Sequence, residues 1–500
     1  NEYLFKQLEE LKPKFFNETN KTKKDGLKKQ IEALIDEITE GKKIFDFEVY
    51  FSEVFHEKKG FDVVIANPPY VQLQKMSATE KKALTNAHYE TYRSTGDIYC
   101  LFYERGFNLL RKRGVLTFIT SNKWMRADYG SNLRGFFVVK TKPENLIDFA
   151  GVKVFEATVD TNILILRKEG KCKEVSACRL GDDFHLGESL GEYFEKNKVS
   201  IKPKGDESWV VASPEEMAIR RKIERLGTPL KDWDISINYG IKTGYNEAFI
   251  IDSAKRNELI ANDPKSAEII KPLLRGRDIK KFRADWKGLW LIATFPALHL
   301  DINKYPAVRD YLKSFGKRLE QSGEKGCRKK TNNKWFETQD TIAYHAEFEK
   351  EKIIYPNMTQ KPCFAYTDDG SFCNDKSFIL TAGSESLIKY FVALLNSKLV
   401  DFTLRGLCSG LGHKGLEVRK VFIENLPIIK IIKAQQKPFI ALVDRILSAK
   451  AKDPDADTTA LEAEIDLMVY KLYELTYDEV KVIDPEFPLT QAEYEAFNWC

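Results

Sequence analysis

The sequence predicts an α/β domain, a mixed α+β domain and a helical tail, in that order, and three observations predict it. Over 61–205, apolar runs of four to six residues alternate with amphipathic stretches, the pattern of strands buried in a mostly parallel sheet covered on both faces. From about 206 the texture changes to glycine turns, short strands and basic loops. From 431 the apolar residues fall at helical spacing up to an Asp/Pro-rich break at 453–457, and again beyond it. The boundaries read from this are 1–205, 206–430 and 431–500.

Each element follows from local chemistry. Two charged helices over 4–39 are broken at "NETNKTKKDG", and in the second Leu27, Ile31, Leu34 and Ile38 share one face. "FDVVIA" (61–66) is a strand, and "DIYCLFYERGFNLLRKRG" an amphipathic helix stopping at Gly114. "VLTFIT", "ENLIDFAG" and "TNILILRK" are further strands. No internal repeat interrupts the order.

Size and composition bound the function. Five hundred residues exceed one core, and 43% apolar with 12% aromatic residues is globular. No apolar run reaches the ~18–20 residues of a membrane span, and no secretory leader opens the chain, so a cytoplasmic protein is expected. The first residue is Asn1 rather than Met, which reads as a segment of a longer polypeptide or a processed chain. The eight cysteines are scattered without a CxxC pair, which argues for reduced thiols and against structural zinc. Net charge is +5 from 79 basic and 74 acidic residues, so a polyanion partner has to be argued from local patches.

The chemistry begins where "FDVVIA" runs into Asn67, Pro68, Pro69 and Tyr70. Two prolines remove two backbone donors and fix two φ angles, so the chain leaves the sheet rigidly. In a doubly wound sheet that exit is where ligands bind. An exocyclic aromatic amine is a poor nucleophile because its lone pair is delocalised. Two fixed acceptors, Asn67 Oδ1 and the Pro68 carbonyl, would take its N–H groups and aim the lone pair at an electrophile. Tyr70 offers a face on which a planar base can stack.

With that upstream strand, "NPPY" resembles motif IV of the amino-group methyltransferases that use S-adenosylmethionine. The downstream order is similar to the gamma arrangement of adenine-N6 DNA enzymes: "GDIYCLFYERGFNLL" resembles motif V, "RGVLTFIT" motif VI, "NKWMRADYGSNLR" the segment after it, and "GVKVFEATVDTNILIL" motif VIII. Phe155 is the matching position for the family's aromatic on a flipped adenine. "INYGIKTGYNEAFII", "IKPLLRGRDIKKF", "KIIYPNM", "LLNSKLVDF" and "ENLPI" resemble the TaqI-like specificity domain of type IIG restriction-modification enzymes, and "AEIDLMVYKLYELTYDEV" their usual ending. The resemblance implies a partial Rossmann-like methyltransferase domain, then a target-recognition domain on double-stranded DNA. The implied reaction is methyl transfer to N6 of an adenine extruded from the duplex.

Two family features are missing. Residues 1–66 contain only Gly26, Gly41 and Gly60, not the glycine-rich loop that lets a backbone approach the cofactor. No Asp…Glu-x-Lys nuclease pattern lies in a credible strand before residue 61, and "DEVK" at 478–481 reads as surface charge. By resemblance, Asp97 and Phe102 face the methyl donor as the rim of its site. An N-terminal portion or subunit carrying the cofactor motif is therefore the expected partner.

Three basic patches suit phosphate. Lys242, Thr243 and Tyr245 sit in a glycine loop. Arg275, Arg277, Lys280, Lys281 and Arg283 follow one another closely, as do Lys325, Arg328, Lys329, Lys330 and Lys334. His413 reads as a loop histidine within reach of phosphate. A non-catalytic DNA-recognition module is the competing expectation. A methyltransferase acting on a glutamine amide or RNA is a further one, disfavoured by the long reader domain.

Overall fold

A computed structural model describes residues 2–499 apart from 40, 42–44, 151, 157, 158, 182, 183, 186, 408 and 411–414. His413, Cys408 and Cys500 therefore lie outside the described residues. The chain forms two compact units, 1–212 and 213–500. Among the described residues, no helix is long and apolar enough to cross a membrane, and no cluster of side chains is set to hold a metal ion.

In the first unit, helices α1 (Glu2–Asn17) and α2 (Lys21–Ile38) pack on each other through Leu8, Ile31 and Ile35. Asn20 caps α2 by accepting the Lys23 N–H at 3.2 Å, so most of the polar stretch expected to break the pair is the first turn of α2. The sheet that follows is built from β1 (Phe61–Ala66), β2 (Leu110–Ser121), β3 (Lys142–Asp148), β4 (Thr161–Arg167), β5 (Val175–Arg179) and β6 (Val199–Ile201), in the order β1-β2-β4-β3-β5-β6. Helices α3 (Tyr99–Leu109) and α4 (Ser131–Lys140) cover one face. Gly106 lets α3 approach: a Cβ there would lie 2.8 Å from Leu116 and 2.9 Å from the Phe118 ring.

Three expectations are corrected. The sheet is mixed, with β1–β2 and β3–β5 parallel but β2–β4, β3–β4 and β5–β6 antiparallel. Among the described residues no helix separates β3 from β4, and β4 returns antiparallel and inserts between β2 and β3. Nor is the sheet covered throughout: β1 is an edge strand whose Val63 and Ile65 are 56% and 77% exposed, while Val64 and Ala66 face the core. Finally α3 ends at Leu109 rather than Gly114, because Leu110 already belongs to β2 and pairs with Phe61.

The second unit is organised by an antiparallel sheet of β7 (Ile235–Tyr239), β11 (Lys352–Pro356), β12 (Ala365–Thr367) and β14 (Ser377–Ala382), ordered β12-β11-β14-β7. Its strands alternate between two cores. Ile353, Tyr355, Phe378 and Leu380 point into one, and Ile354 and Ile379 into the other. That explains apolar runs such as "KIIYP" at strand period. The second core lies against a smaller sheet of β8 (Ile250–Asp252), β9 (Ile270–Leu274), β10 (Leu289–Ile292) and β13 (Phe372–Cys373).

The first core holds α5 (Glu385–Leu395), α6 (Lys398–Leu407), α7 (Lys433–Lys452) and α8 (Thr459–Leu472), so residues beyond 431 share the core of the sheet before them. Asp466 on α8 accepts the Lys398 N–H at the start of α6 at 2.8 Å. Burial raises this carboxyl to about 6 against that hydrogen bond. Glu479 of "DEVK" pairs with Lys222 at 2.8 Å and closes a capping box with Thr476.

Candidate active site and nucleic-acid surface

The register of the first sheet gathers the site. Parallel β1 and β2 end together, Thr161 at the start of β4 lies opposite Ser121, and Asp148 at the end of β3 lies opposite Asn162. The Asn67–Tyr70 corner, the Asn122–Met125 turn and the 149–160 connection therefore stand at one end of the sheet. Phe155 is half-buried in that connection.

Two backbone ties and one carboxylate hold the corner. Val71 N–H donates to Asp97 Oδ1 at 2.9 Å, Ile98 N–H to the Val71 carbonyl at 2.9 Å, and Leu73 N–H to the Gly96 carbonyl at 2.9 Å. Burial raises the Asp97 carboxyl above its ordinary value, while backbone N–H groups of Tyr99, Val71 and Ile98 and the charge of Lys123 pull it down. Asp97 thus serves as the clamp that fixes the segment after the prolines to the start of α3. Phe102, the other residue assigned to the donor, is 39% exposed on α3.

Tyr70 donates its hydroxyl to the Ile119 carbonyl at 3.3 Å and meets Tyr99 edge-to-face at 5.9 Å. Burial, with a smaller push from Asp97, drives its pKa up to about 12, so the ring stays neutral at physiological pH. Pro68 is buried. Asn67 is exposed, and its amide has no protein partner among the described residues. The corner is thus tied down around an exposed Asn67 amide.

Several polar residues beside the corner were not singled out from sequence. Asn122 donates to Asp148 Oδ1 at 2.8 Å, Arg126 lies 4.0 Å from the same carboxylate, and Asn122 N–H donates to the Asp160 carbonyl at 2.9 Å. Behind them Tyr103, Thr120 and Asn162 form a buried hydroxyl–amide chain at 3.0 and 3.3 Å. The available signal was position: "SNKWMR" follows directly on the carboxyl end of "VLTFIT".

In the second unit the structure knits the three basic patches together through the loop 240–246. On one side, Gly240 lies so close to the 373–377 turn that a Cβ would sit 2.0 Å from the Asn374 carbonyl oxygen. That turn also supports the Arg275–Asp278 segment, because Asn374 N–H donates to the Leu274 carbonyl at 3.1 Å. On the other side Arg328 reaches the loop itself.

Arg328 is the correction here. It was assigned to a DNA-facing patch but is 3% exposed. Its guanidinium makes five hydrogen bonds to carbonyls: two to Leu319 (3.0 and 2.8 Å) and one each to Thr243 (3.1 Å), Glu337 (2.7 Å) and Trp335 (2.6 Å). A planar fork with five donors suits that role, and a lysine could not fill it. Thr243 is turned inward too, 1% exposed and bonded to Asn246 at 2.6 Å. Arg275 is spent on Asp278 in a two-pronged pair at 2.9 Å. Tyr245 is half-buried and takes a hydrogen bond from Arg318 at 3.0 Å. Lys242, Arg277, Lys325, Lys329, Lys330 and Lys334 remain exposed.

Comparison with known proteins matches both regions. Residues 4–155 match the Eco57I restriction-modification methylase family and residues 271–428 the TaqI-like C-terminal specificity domain. The chain is 24% identical over 456 residues to the type II methyltransferase M.BstVI of Geobacillus stearothermophilus, covering 85% of this chain and 75% of the relative. It is 27% identical over 315 residues to M.PaeR7I of Pseudomonas aeruginosa, covering 60% and 52%. Among solved structures, the type IIL restriction-modification enzyme MmeI in complex with DNA aligns with a TM-score of 0.56 at 15% identity, over 91% of this chain and 57% of that one. This last likeness is one of fold. The match spans little more than half of M.PaeR7I and of MmeI.

Proposed function

We propose, for a chain that joins an Eco57I-type restriction-modification methylase region to a TaqI-like specificity domain and whose curated relatives include type II methyltransferases, that it supplies the target-base corner and the DNA reader of an adenine-N6 DNA methyltransferase. The observation that carries this reading is Asn67: an exposed amide with no partner among the described residues, at the carboxyl end of a strand, on a corner otherwise immobilised by Asp97 and Tyr70. Asn67 Oδ1 and the Pro68 carbonyl accept the two N–H groups of a flipped adenine, which localises its lone pair. Tyr70 and Phe155 then flank the base, and the exposed lysines of the second unit hold the duplex backbone.

S-adenosylmethionine, the donor implied by methyltransferase relatives, supplies an electrophilic methyl group when bound. The residues present do not make its site by themselves. Asp97 has spent one oxygen on Val71, Phe102 offers only an exposed ring, and no glycine-rich turn precedes β1. We assign the rest of the donor site to a segment or subunit that covers β1, and the exposed Val63 and Ile65 support this. The same open face favours a second reading, in which this chain is a DNA-recognition module without activity of its own.

Calorimetric titration of S-adenosylmethionine into the chain, with duplex DNA present, separates the two. The proposal expects duplex binding with no saturable donor binding until the missing piece is supplied. Saturable binding by the chain alone would show that the donor site is formed here and overturn its assignment to a further segment or subunit. Failure to bind duplex DNA at all would sink both readings.

A further inference from the structure

The second unit carries a cavity of about 390 Å³ that none of the three basic patches defines by itself. Three segments distant in sequence wall it: Arg275–Arg277 after β9, Pro356–Met358 at the end of β11, and the Asn374–Lys376 turn between β13 and β14. The walls are pinned to one another through the backbone. Asn357 N–H donates to the Lys376 carbonyl at 2.8 Å and Asn374 N–H to the Leu274 carbonyl at 3.1 Å. A Cβ on Gly276 would lie 3.0 Å from the Lys376 carbonyl oxygen, so the turn carrying Arg277 presses directly on the opposite wall.

Arg275 is spent on Asp278, but other side chains on these walls keep free polar groups. Asp278, the acid beside Arg277, is already gripped by Arg275. Arg277 is exposed and makes no hydrogen bond or ion pair among the described residues. The Asn357 amide is half-buried, and neither its oxygen nor its nitrogen has a hydrogen-bond partner among the described residues. Asn374 has given its oxygen to the Lys376 N–H at 3.3 Å and, among the described residues, keeps both amide hydrogens. Pro356 and Met358, the latter 51% exposed, make an apolar side.

We propose that this cavity reads base edges in the major groove of duplex DNA, with Arg277 on the O6/N7 edge of a guanine and Asn357 on the N6/N7 edge of an adenine. The inference rests on the DNA-reading function proposed above. A phosphate presents only acceptors, so it would leave the Asn357 oxygen unmatched and make no use of Pro356 and Met358. A base edge presents donors, acceptors and, for thymine, a methyl group. Arg277 and Asn357 have the donor and acceptor sets that pair in two-pronged fashion with guanine and adenine. The rigid backbone around them keeps that recognition preorganised.

The test is selection of bound duplexes from a randomised library by the full chain, read by sequencing, for the native protein, Arg277→Lys and Asn357→Ala. Arg277→Lys keeps the charge and removes the fork. It is expected to lose preference at a single guanine position by roughly 5- to 100-fold, with the salt dependence of binding unchanged. Asn357→Ala is expected to do the same at an adenine position. An Arg277→Lys protein that enriches the native sequence undiminished would make Arg277 a phosphate contact and overturn the assignment. Should Asn357→Ala fail to fold, the lysine variant still decides. A native chain that enriches no sequence would instead overturn the DNA-reading function on which the assignment stands.

Discussion

The corner at Asn67–Tyr70 and the loop 240–246 are both rigid, but they are made rigid in opposite ways. The corner is stiffened by its own two prolines and clamped by Asp97 at the start of α3, at the end of an edge strand with exposed apolar side chains. The loop owes its shape to residues far away in the chain, a buried arginine on one flank and a close glycine–carbonyl approach on the other. The first kind of rigidity survives in a unit whose sheet is left open. The second requires a fold closed on itself, as 213–500 is around its two cores. The corner therefore draws part of its stiffness from a four-residue motif, whereas the loop has to be shaped by the whole unit.

The largest expected effect tests the corner. In an assembly that methylates DNA, Asn67→Ala should cut turnover at least about 10²–10³-fold, the usual loss when one preorganised polar group is removed. Duplex affinity should be unchanged. Survival of activity would reduce the corner to a turn.

Next is the rivet. Arg328→Met should destabilise the second unit by about 3–5 kcal/mol, because buried carbonyls lose their donors, and thermal melting reads it directly. If melting were unchanged and only the salt dependence of DNA binding moved, Arg328 would be a surface contact after all.

A smaller effect concerns the helices that close the unit. Asp466 is raised to about 6 by burial, so the folded state holds its proton more tightly than the unfolded chain does. Stability from this group is fully present below about pH 4 and is lost as pH rises through 6. Asp466→Asn, which keeps the acceptor for Lys398, should melt like the native protein below pH 4. Above pH 6 it should be more stable by about 2–3 kcal/mol at most. An equal gain at every pH would show that the carboxylate is not what titrates.

The smallest change is electrostatic. Replacing Lys329 and Lys330 with alanine should weaken duplex binding and lower the slope of log affinity against log salt by about 1–2. Melting should not change, because both side chains are exposed. An unaltered slope would remove that segment from the interface.

Much of the first unit was legible in the sequence. β1, β2, β3 and β4 fall on the apolar runs that predict them, and Asn67 lies immediately after β1. What misled was the inference from apolar strand to covered strand. "FDVVIA" is composed for burial, yet its outward residues are exposed in this chain. The direction of β4 was also hidden, since strand composition does not encode whether a neighbour runs parallel.

In the second unit the basic patches announced themselves by composition, but composition could not separate a charge that faces solvent from one that holds the interior. Arg328 and Lys329 are neighbours in sequence, and the fold puts one inside and the other outside. The sequence by itself determined the strand periodicities, the proline-fixed exit at Asn67 and the order of the regions, because φ restriction and apolar spacing act over a few residues. Only the tertiary structure decided which cations are spent on carbonyls, which amides stay open and which distant turns share a cavity. Those outcomes depend on hydrogen bonds and close approaches between segments tens of residues apart, and no local pattern records them.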